Sequence, residues 1–188
     1  MKLLTIIGGV NGVGKSSIYG AFDAVNEMLG AIIDTDKITA RLGGDKIKGG
    51  KEAVRLINDC LEQDENFTWE TTLSGNKPLK IIQSAREKGF LISLYYIAVS
   101  SAEESLSRIQ NRVRKGGHDI PPEIVRSRFN KRFDDLIKIL PYCDSVIFLD
   151  NENGFVKVGY CDEGRLELIG KYAPDWILSL KEMLENNT

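Results

Sequence analysis

Eight consecutive residues, Gly9-Val10-Asn11-Gly12-Val13-Gly14-Lys15-Ser16, carry the clearest chemistry in this sequence. They match the phosphate-loop pattern G-x-x-x-x-G-K-[ST] without a gap, after a short apolar run and before a stretch that reads as a helix. Glycines let the backbone wrap a phosphate with its N–H groups pointing inward, and the following helix N-terminus adds positive potential. Lys15 would reach the β- and γ-phosphates of ATP, and Ser16 would offer a hydroxyl to Mg²⁺. Gly9, Asn11, Gly12, Val13, Gly14, Lys15, Ser16 and Ser17 are the candidate nucleotide-binding residues. A glycine turn that binds nothing would need neither the lysine nor the hydroxyl. A dinucleotide site is excluded because Ser17 stands where its third glycine belongs.

Two other segments could complete a phosphoryl transfer. An acceptor hydroxyl needs a carboxylate beyond the carboxyl end of a neighbouring strand, and Asp34-Thr35-Asp36 falls at such a place. Asp36 is the candidate general base and, with Ser16, a candidate metal ligand; the other reading of Asp36 is a helix N-cap, and Asp34 competes with it. Glu70-Thr71-Thr72 closes another apolar run, so Glu70 is a second carboxylate at such a place, unless it is a surface charge at a strand end. Arg108, Arg112, Arg114, Lys115, Arg126, Arg128 and Arg132 flank a Gly-Gly/Pro-Pro loop that reads as a lid. Cations there would close over the migrating phosphate. Each taken singly reads as a solvated helix charge; Arg112 and Arg128 are the two chosen as functional. Arg128 and Arg132, four apart, are expected on a face turned away from the Phe129/Phe133 stripe.

The elements that position these residues follow from hydrophobic periodicity. Leu3–Ile7, Ala31–Ile33, Asn66–Glu70, Phe90–Val99 and Ser145–Leu149 read as strands, alternating with amphipathic stretches as in a parallel sheet. Helices are expected over Lys15–Leu29, Ile38–Leu42, Lys51–Gln63, Lys77–Lys88, from Ser101 onward, Glu123–Leu140 and Trp176–Leu184. The helix after Ser101 is expected to bury Ala102, Leu106, Ile109 and Val113. Gly43–Gly50 reads as a mobile loop, and Phe155–Tyr160 with Arg165–Ile169 as a hairpin. The expectation is one α/β domain over residues 1–188, in three layers, with five parallel strands, a lid near 114–122 and a hairpin near 155–170.

Composition narrows the function. At 188 residues the chain has little room for the coupling motifs of a motor or transport ATPase. Asn76-Lys77-Pro78-Leu79 lacks the aspartate of a guanine-reading motif, which excludes a GTPase. Lys plus Arg number 25 against 27 Asp plus Glu, a net charge of −2 that argues against a nucleic-acid binder. One histidine and three scattered cysteines leave no ordinary zinc site and no disulfide framework. The apolar start stops at Gly8, too short for a signal peptide, and no membrane span is evident; a cytoplasmic protein is expected. A kinase acting on a small molecule fits best. A nucleoside, nucleotide or antibiotic kinase, or an ATP-gated binding module without transfer, stays open at this point.

Taken together, Gly8–Ser16, Ile33–Asp36, Thr68–Ser74 and Arg112–Pro121 resemble the zeta-toxin family of P-loop kinases, over about Lys2 to Leu149. The resemblance implies a strand order of 2-3-1-4-5, use of ATP and Mg²⁺, and a hydroxyl acceptor such as the UDP-N-acetylglucosamine of the best-known toxins. It places the base at Asp36, the phosphate-binding lysine at Lys15, substrate or metal contacts at Glu70 and Thr72, and a lid arginine at Arg112. The adenine base is expected near Asp150–Asn153. Two departures stand out: His118 occupies the slot of another lid arginine, leaving Arg114 or Arg128 to replace it, and the lid is short. The hairpin has no counterpart, and no residue pattern identifies an antitoxin or other protein partner.

Overall fold

The computed structural model describes residues 1–21, 30–162 and 164–186. At its centre lies β1 (Leu3–Gly8), an unbroken apolar strand that is buried from Leu4 onward. Flanking it are β2 (Ala31–Asp34), β3 (Phe67–Thr71), β4 (Leu91–Ala98) and β5 (Ser145–Asp150), all parallel. Such strands must be covered on both faces, which is why they read as continuous apolar runs. Alternation along β4 shows the two faces: Ile92, Leu94, Tyr96 and Ala98 enter one cluster, Ile97 the other.

The strand order is β2-β3-β1-β4-β5-β6-β7, so the expected order of the first five holds. The expectation of a five-stranded parallel sheet with a separate hairpin does not. β6 (Val156–Asp162) pairs antiparallel with β5, and β7 (Arg165–Leu168) with β6, making one mixed sheet of seven strands. Without β6, β5 would be an open edge with a row of unpaired N–H and C=O groups; the hairpin satisfies them.

Among the described residues, six α-helices pack against this sheet or line its carboxyl edge: α1 (Thr35–Arg41), α2 (Lys46–Gln63), α3 (Asn76–Glu87), α4 (Ala102–Arg114), α5 (Pro122–Ile137) and α6 (Asp175–Glu185). Several differ from the periodicity reading. The helix expected over Lys15–Leu29 is 3₁₀ over Lys15–Ala21, and residues 22–29 lie outside the described residues. The segment expected as the loop Gly43–Gly50 is already α2 from Lys46, with Asp45 accepting from the N–H groups of Ile47 and Lys48 as its N-cap. Gly49 is there for space, because a Cβ would collide with Thr39 of α1. α1 starts at Thr35 rather than Ile38, since Asp34 supplies its cap. α5 stops at Ile137, and a 3₁₀ turn over Leu140–Tyr142, containing Pro141, follows it. Val113, expected to be buried, is 36% exposed because α4 is leaving the core at that point. Among the described residues no helix is long and apolar enough to cross a membrane.

One buried carboxylate ties the end of the sheet to the last helix. Asp150, 1% exposed, accepts from Trp176 Nε1 at 2.8 Å, Tyr172 Oη at 3.2 Å and the Glu152 N–H at 3.1 Å. Replacing it strands the indole N–H in the core. Asp150→Ala should lower stability by about 2–3 kcal/mol, read as a shift of the urea midpoint at constant m-value.

Candidate active site

β1 ends on Gly8, and the loop after it turns on three glycines in the left-handed region, Gly9 (φ 143°), Gly12 (φ 85°) and Gly14 (φ 95°). Each faces a different element. A Cβ at Gly9 would strike the Ile97 carbonyl of β4, one at Gly12 the Ser105 carbonyl of α4, and one at Gly14 the Asn151 side chain. Asn151 closes this packing by donating from Nδ2 to the Val13 carbonyl at 2.8 Å.

Lys15 folds back across the loop and donates from Nζ to the carbonyls of Gly9 at 2.8 Å and Val10 at 3.1 Å. Burial lowers its pKa to about 8; the Glu70, Asp36 and Asp34 carboxylates oppose that shift, and the Arg112 guanidinium adds to it. Ser16 Oγ donates to Glu70 Oε2 at 2.9 Å. Glu70, at 5% exposure, has its pKa raised by burial and by neighbouring Asp34, while the Ser16 and Tyr19 hydroxyls and the Lys15 ammonium oppose the rise.

Asp34 and Asp36 have separate surroundings. Asp34 is buried, and its Oδ1 accepts from the N–H groups of Asp36 at 2.9 Å and Lys37 at 3.1 Å, which makes it the N-cap of α1. Asp36 is therefore not the cap. It sits exposed in the first helical turn.

Two cavities meet at the P-loop. One, of about 520 Å³, is lined by Gly12, Gly14, Ser16, Ser17, Arg112 and Asn151. The other, of about 280 Å³, holds Asp36, Glu70 and Thr72 above a floor that includes Ile57, Trp69 and Ile81. Lys15 lines both. A smaller cavity of about 200 Å³ extends from Asp36 and Arg128 toward His118.

The arginines divide unevenly. Arg128 of α5 donates to Asn11 Oδ1 at 2.7 Å, reaching the P-loop across 117 residues of sequence. Arg112, at the end of α4, donates to the His118 carbonyl at 2.7 Å and thereby folds the lid segment back. Arg108 is held by Glu104 and by the Glu152 carbonyl, and Arg126 pairs with Glu103. Arg132 does not share an outward face with Arg128. Its guanidinium stacks 3.7 Å from the Phe129 ring centre and 4.1 Å from that of Phe133, because a flat, weakly hydrated cation can cover apolar rings. Sequence reading passed over Tyr19, whose hydroxyl is buried beside Glu70. The available signal was its place four residues after Lys15, one helical turn on.

These oxygens suit a magnesium ion. Ser16 hydroxyl and the Glu70, Asp34 and Asp36 carboxylates are all hard donors, and no group of three or more His, Cys, Asp or Glu able to hold a metal occurs among the described residues.

No protein-family model matches the chain. An uncharacterized protein of Haemophilus influenzae is 34% identical over 126 residues, covering 64% of this chain and 88% of that protein. The two belong to one family. Among solved structures, the PezAT chromosomal toxin-antitoxin system of Streptococcus pneumoniae superimposes with a TM-score of 0.67 at 19% identity, over 100% of this chain and 87% of the other. AvrRxo1-ORF1:-ORF2 with ATP gives 0.69 at 17% identity, over 99% and 76%. The fold is that of zeta-toxin-like P-loop kinases.

The two aspartates can be told apart by stability. Asp34→Ala should cost about 1–2 kcal/mol through loss of the cap. Asp36→Asn should change stability by no more than about 0.5 kcal/mol. Thermal unfolding of the two variants beside the parent measures both.

Proposed function

We propose that this protein transfers the γ-phosphate of ATP to a hydroxyl group of a small molecule. The observation that carries the reading is Lys15 on the shared wall of two cavities, with the P-loop glycines on one side and Asp36 on the other. A phosphate migrating from one to the other would stay beside the same ammonium group throughout.

In this mechanism the P-loop amides and Lys15 hold the triphosphate, with Ser17 and Val13 in the loop wall and the adenine toward Asn151. Mg²⁺, held through Ser16 and Asp36 with Glu70 close by, would neutralise charge on the β- and γ-phosphates. Asp36 accepts the proton as the acceptor oxygen bonds to phosphorus and the bond to the ADP oxygen breaks. Arg112 and Arg128 stabilise the charge spread over the transferring group, from the lid and from α5. Glu70 and Thr72 contact the acceptor. A sugar nucleotide such as UDP-N-acetylglucosamine is the finer reading of that acceptor, drawn from the resemblance. The neighbours PezAT and AvrRxo1-ORF1:-ORF2 support a protein partner for this chain as well.

Isothermal titration and a labelled-ATP transfer screen over sugar nucleotides, nucleosides and nucleotides test the reading. Lys15→Ala should abolish nucleotide binding or turnover, and unchanged affinity and turnover would overturn the assignment. Asp36→Asn should lower kcat by about 10²–10⁴ while ATP affinity is kept. A second expectation concerns protons. With a pKa of about 8 in the free protein, Lys15 is half neutral near pH 8. The arriving phosphates favour its charged form, so Lys15 should add an uptake of about half a proton to ATP binding at pH 8 that Lys15→Ala or a drop to pH 6 removes. Titrations in buffers of different ionisation enthalpy count those protons.

A further inference from the structure

Two polar atoms in the active site are buried without a hydrogen-bond partner, Tyr19 Oη and Glu70 Oε1. They belong to facing side chains: the Tyr19 hydroxyl and the Glu70 carboxylate lie near enough to act on each other's proton as hydrogen-bonding groups do, without the geometry of a full hydrogen bond. Orphaned buried polar atoms are costly, and a pair of them side by side at a P-loop calls for a reason. The other carboxylate oxygen, Oε2, is already taken by the Ser16 hydroxyl at 2.9 Å. Glu70 itself stands on a buried strand and is 5% exposed.

We infer that Tyr19 is a positioning residue for the metal-binding serine, acting through Glu70. The phenol O–H donates to Glu70 Oε1 when the nucleotide site is loaded, which locks both carboxylate oxygens. A locked carboxylate fixes the direction in which Ser16 gives its proton, and so the direction in which the Ser16 oxygen presents its lone pairs. A phenol carries its proton at neutral pH, so its O–H is there to be given to the carboxylate oxygen it faces. Lys37 Nζ lies over the Tyr19 ring, 5.7 Å from its centre. Tyr19 lies on the 3₁₀ helix that also carries Lys15 and Ser16, which keeps all three in one rigid frame. The tightness of the helix matters here, because one backbone segment aims the serine and supports the carboxylate that orients it.

The inference rests on the kinase reading above, and its test separates the two. Calorimetric titration of ATP with and without Mg²⁺, on the full chain, measures how much the metal contributes to nucleotide affinity. Tyr19→Phe keeps the ring and removes only the hydroxyl. It should weaken the Mg²⁺-dependent part of ATP affinity about tenfold, the usual size of a loss behind a metal ligand, and leave metal-free ATP affinity unchanged. Removing an orphaned hydroxyl should leave the melting temperature of the ligand-free protein equal or higher. In a Glu70→Gln background the same substitution should cost nothing further, since the two act on one chain of hydrogen bonds. An unchanged Mg²⁺ contribution in Tyr19→Phe, an equal loss with and without the metal, or full additivity with Glu70→Gln would each overturn the proposal. If Lys15→Ala still loses ATP while Tyr19→Phe behaves as the parent, the positioning role fails and the kinase reading stands. If the parent protein binds no ATP, the failure is that of the kinase reading.

Discussion

Three elements press against the backbone where β1 becomes the P-loop, and hydrogen is the largest side chain that each contact admits. The Ile97 carbonyl, the Ser105 carbonyl and the Asn151 side chain occupy the space a Cβ would take at Gly9, Gly12 and Gly14. The loop is thus clamped by β4, α4 and the turn after β5 before any ligand arrives. That clamp sets the direction of Lys15, and Lys15 sets where the two cavities touch. A loop held only by its own turns would leave the ammonium free to wander over the several ångströms its stem allows, and a phosphate would have to order it.

Below that clamp the site is organised by who satisfies whom. Asp34 spends one oxygen on two backbone N–H groups of α1, which frees Asp36 from capping and turns it toward both acceptor-side cavities. Asn11 gives its oxygen to Arg128, so the loop reports directly to α5. Buried groups with partners fix geometry; the exposed carboxylate of Asp36 stays available. Chemistry needs both kinds, and here they stand two residues apart.

Much of this was legible in the chain itself. Continuous apolar runs gave the parallel strands, and an ungapped eight-residue pattern gave the phosphate loop. Strand order came only from the resemblance, because periodicity has no knowledge of neighbours. Local rules failed where a tertiary contact overrode them. Gly49 and Gly50 read as a break, yet α2 runs through them, since Gly49 is required for the approach of Thr39 and helix packing outweighs its propensity cost. The joining of β6 to β5 was hidden for a similar reason: a hairpin looks the same in sequence whether it stands alone or covers an edge. Arg132 was misjudged because charge was taken to mean solvent, whereas its plane lies over two phenylalanine rings. As for the site, the sequence preferred Asp36 to Asp34 by position and left the cap open between them; the backbone N–H groups around Asp34 assign the cap.

The Asp150 hub has a bearing on how distant parts of the chain influence one another. Its carboxylate holds Trp176 of α6 and Tyr172, and also the N–H of Glu152 in the turn that sends Asn151 to the Val13 carbonyl, a contact spanning 138 residues. The phosphate loop and the final helix therefore share a single mechanical joint. A change that released Trp176 from Asp150 would thus reach the Val13 carbonyl through two neighbouring residues of one turn, Glu152 and Asn151, although α6 makes no contact of its own with the loop in that chain of hydrogen bonds.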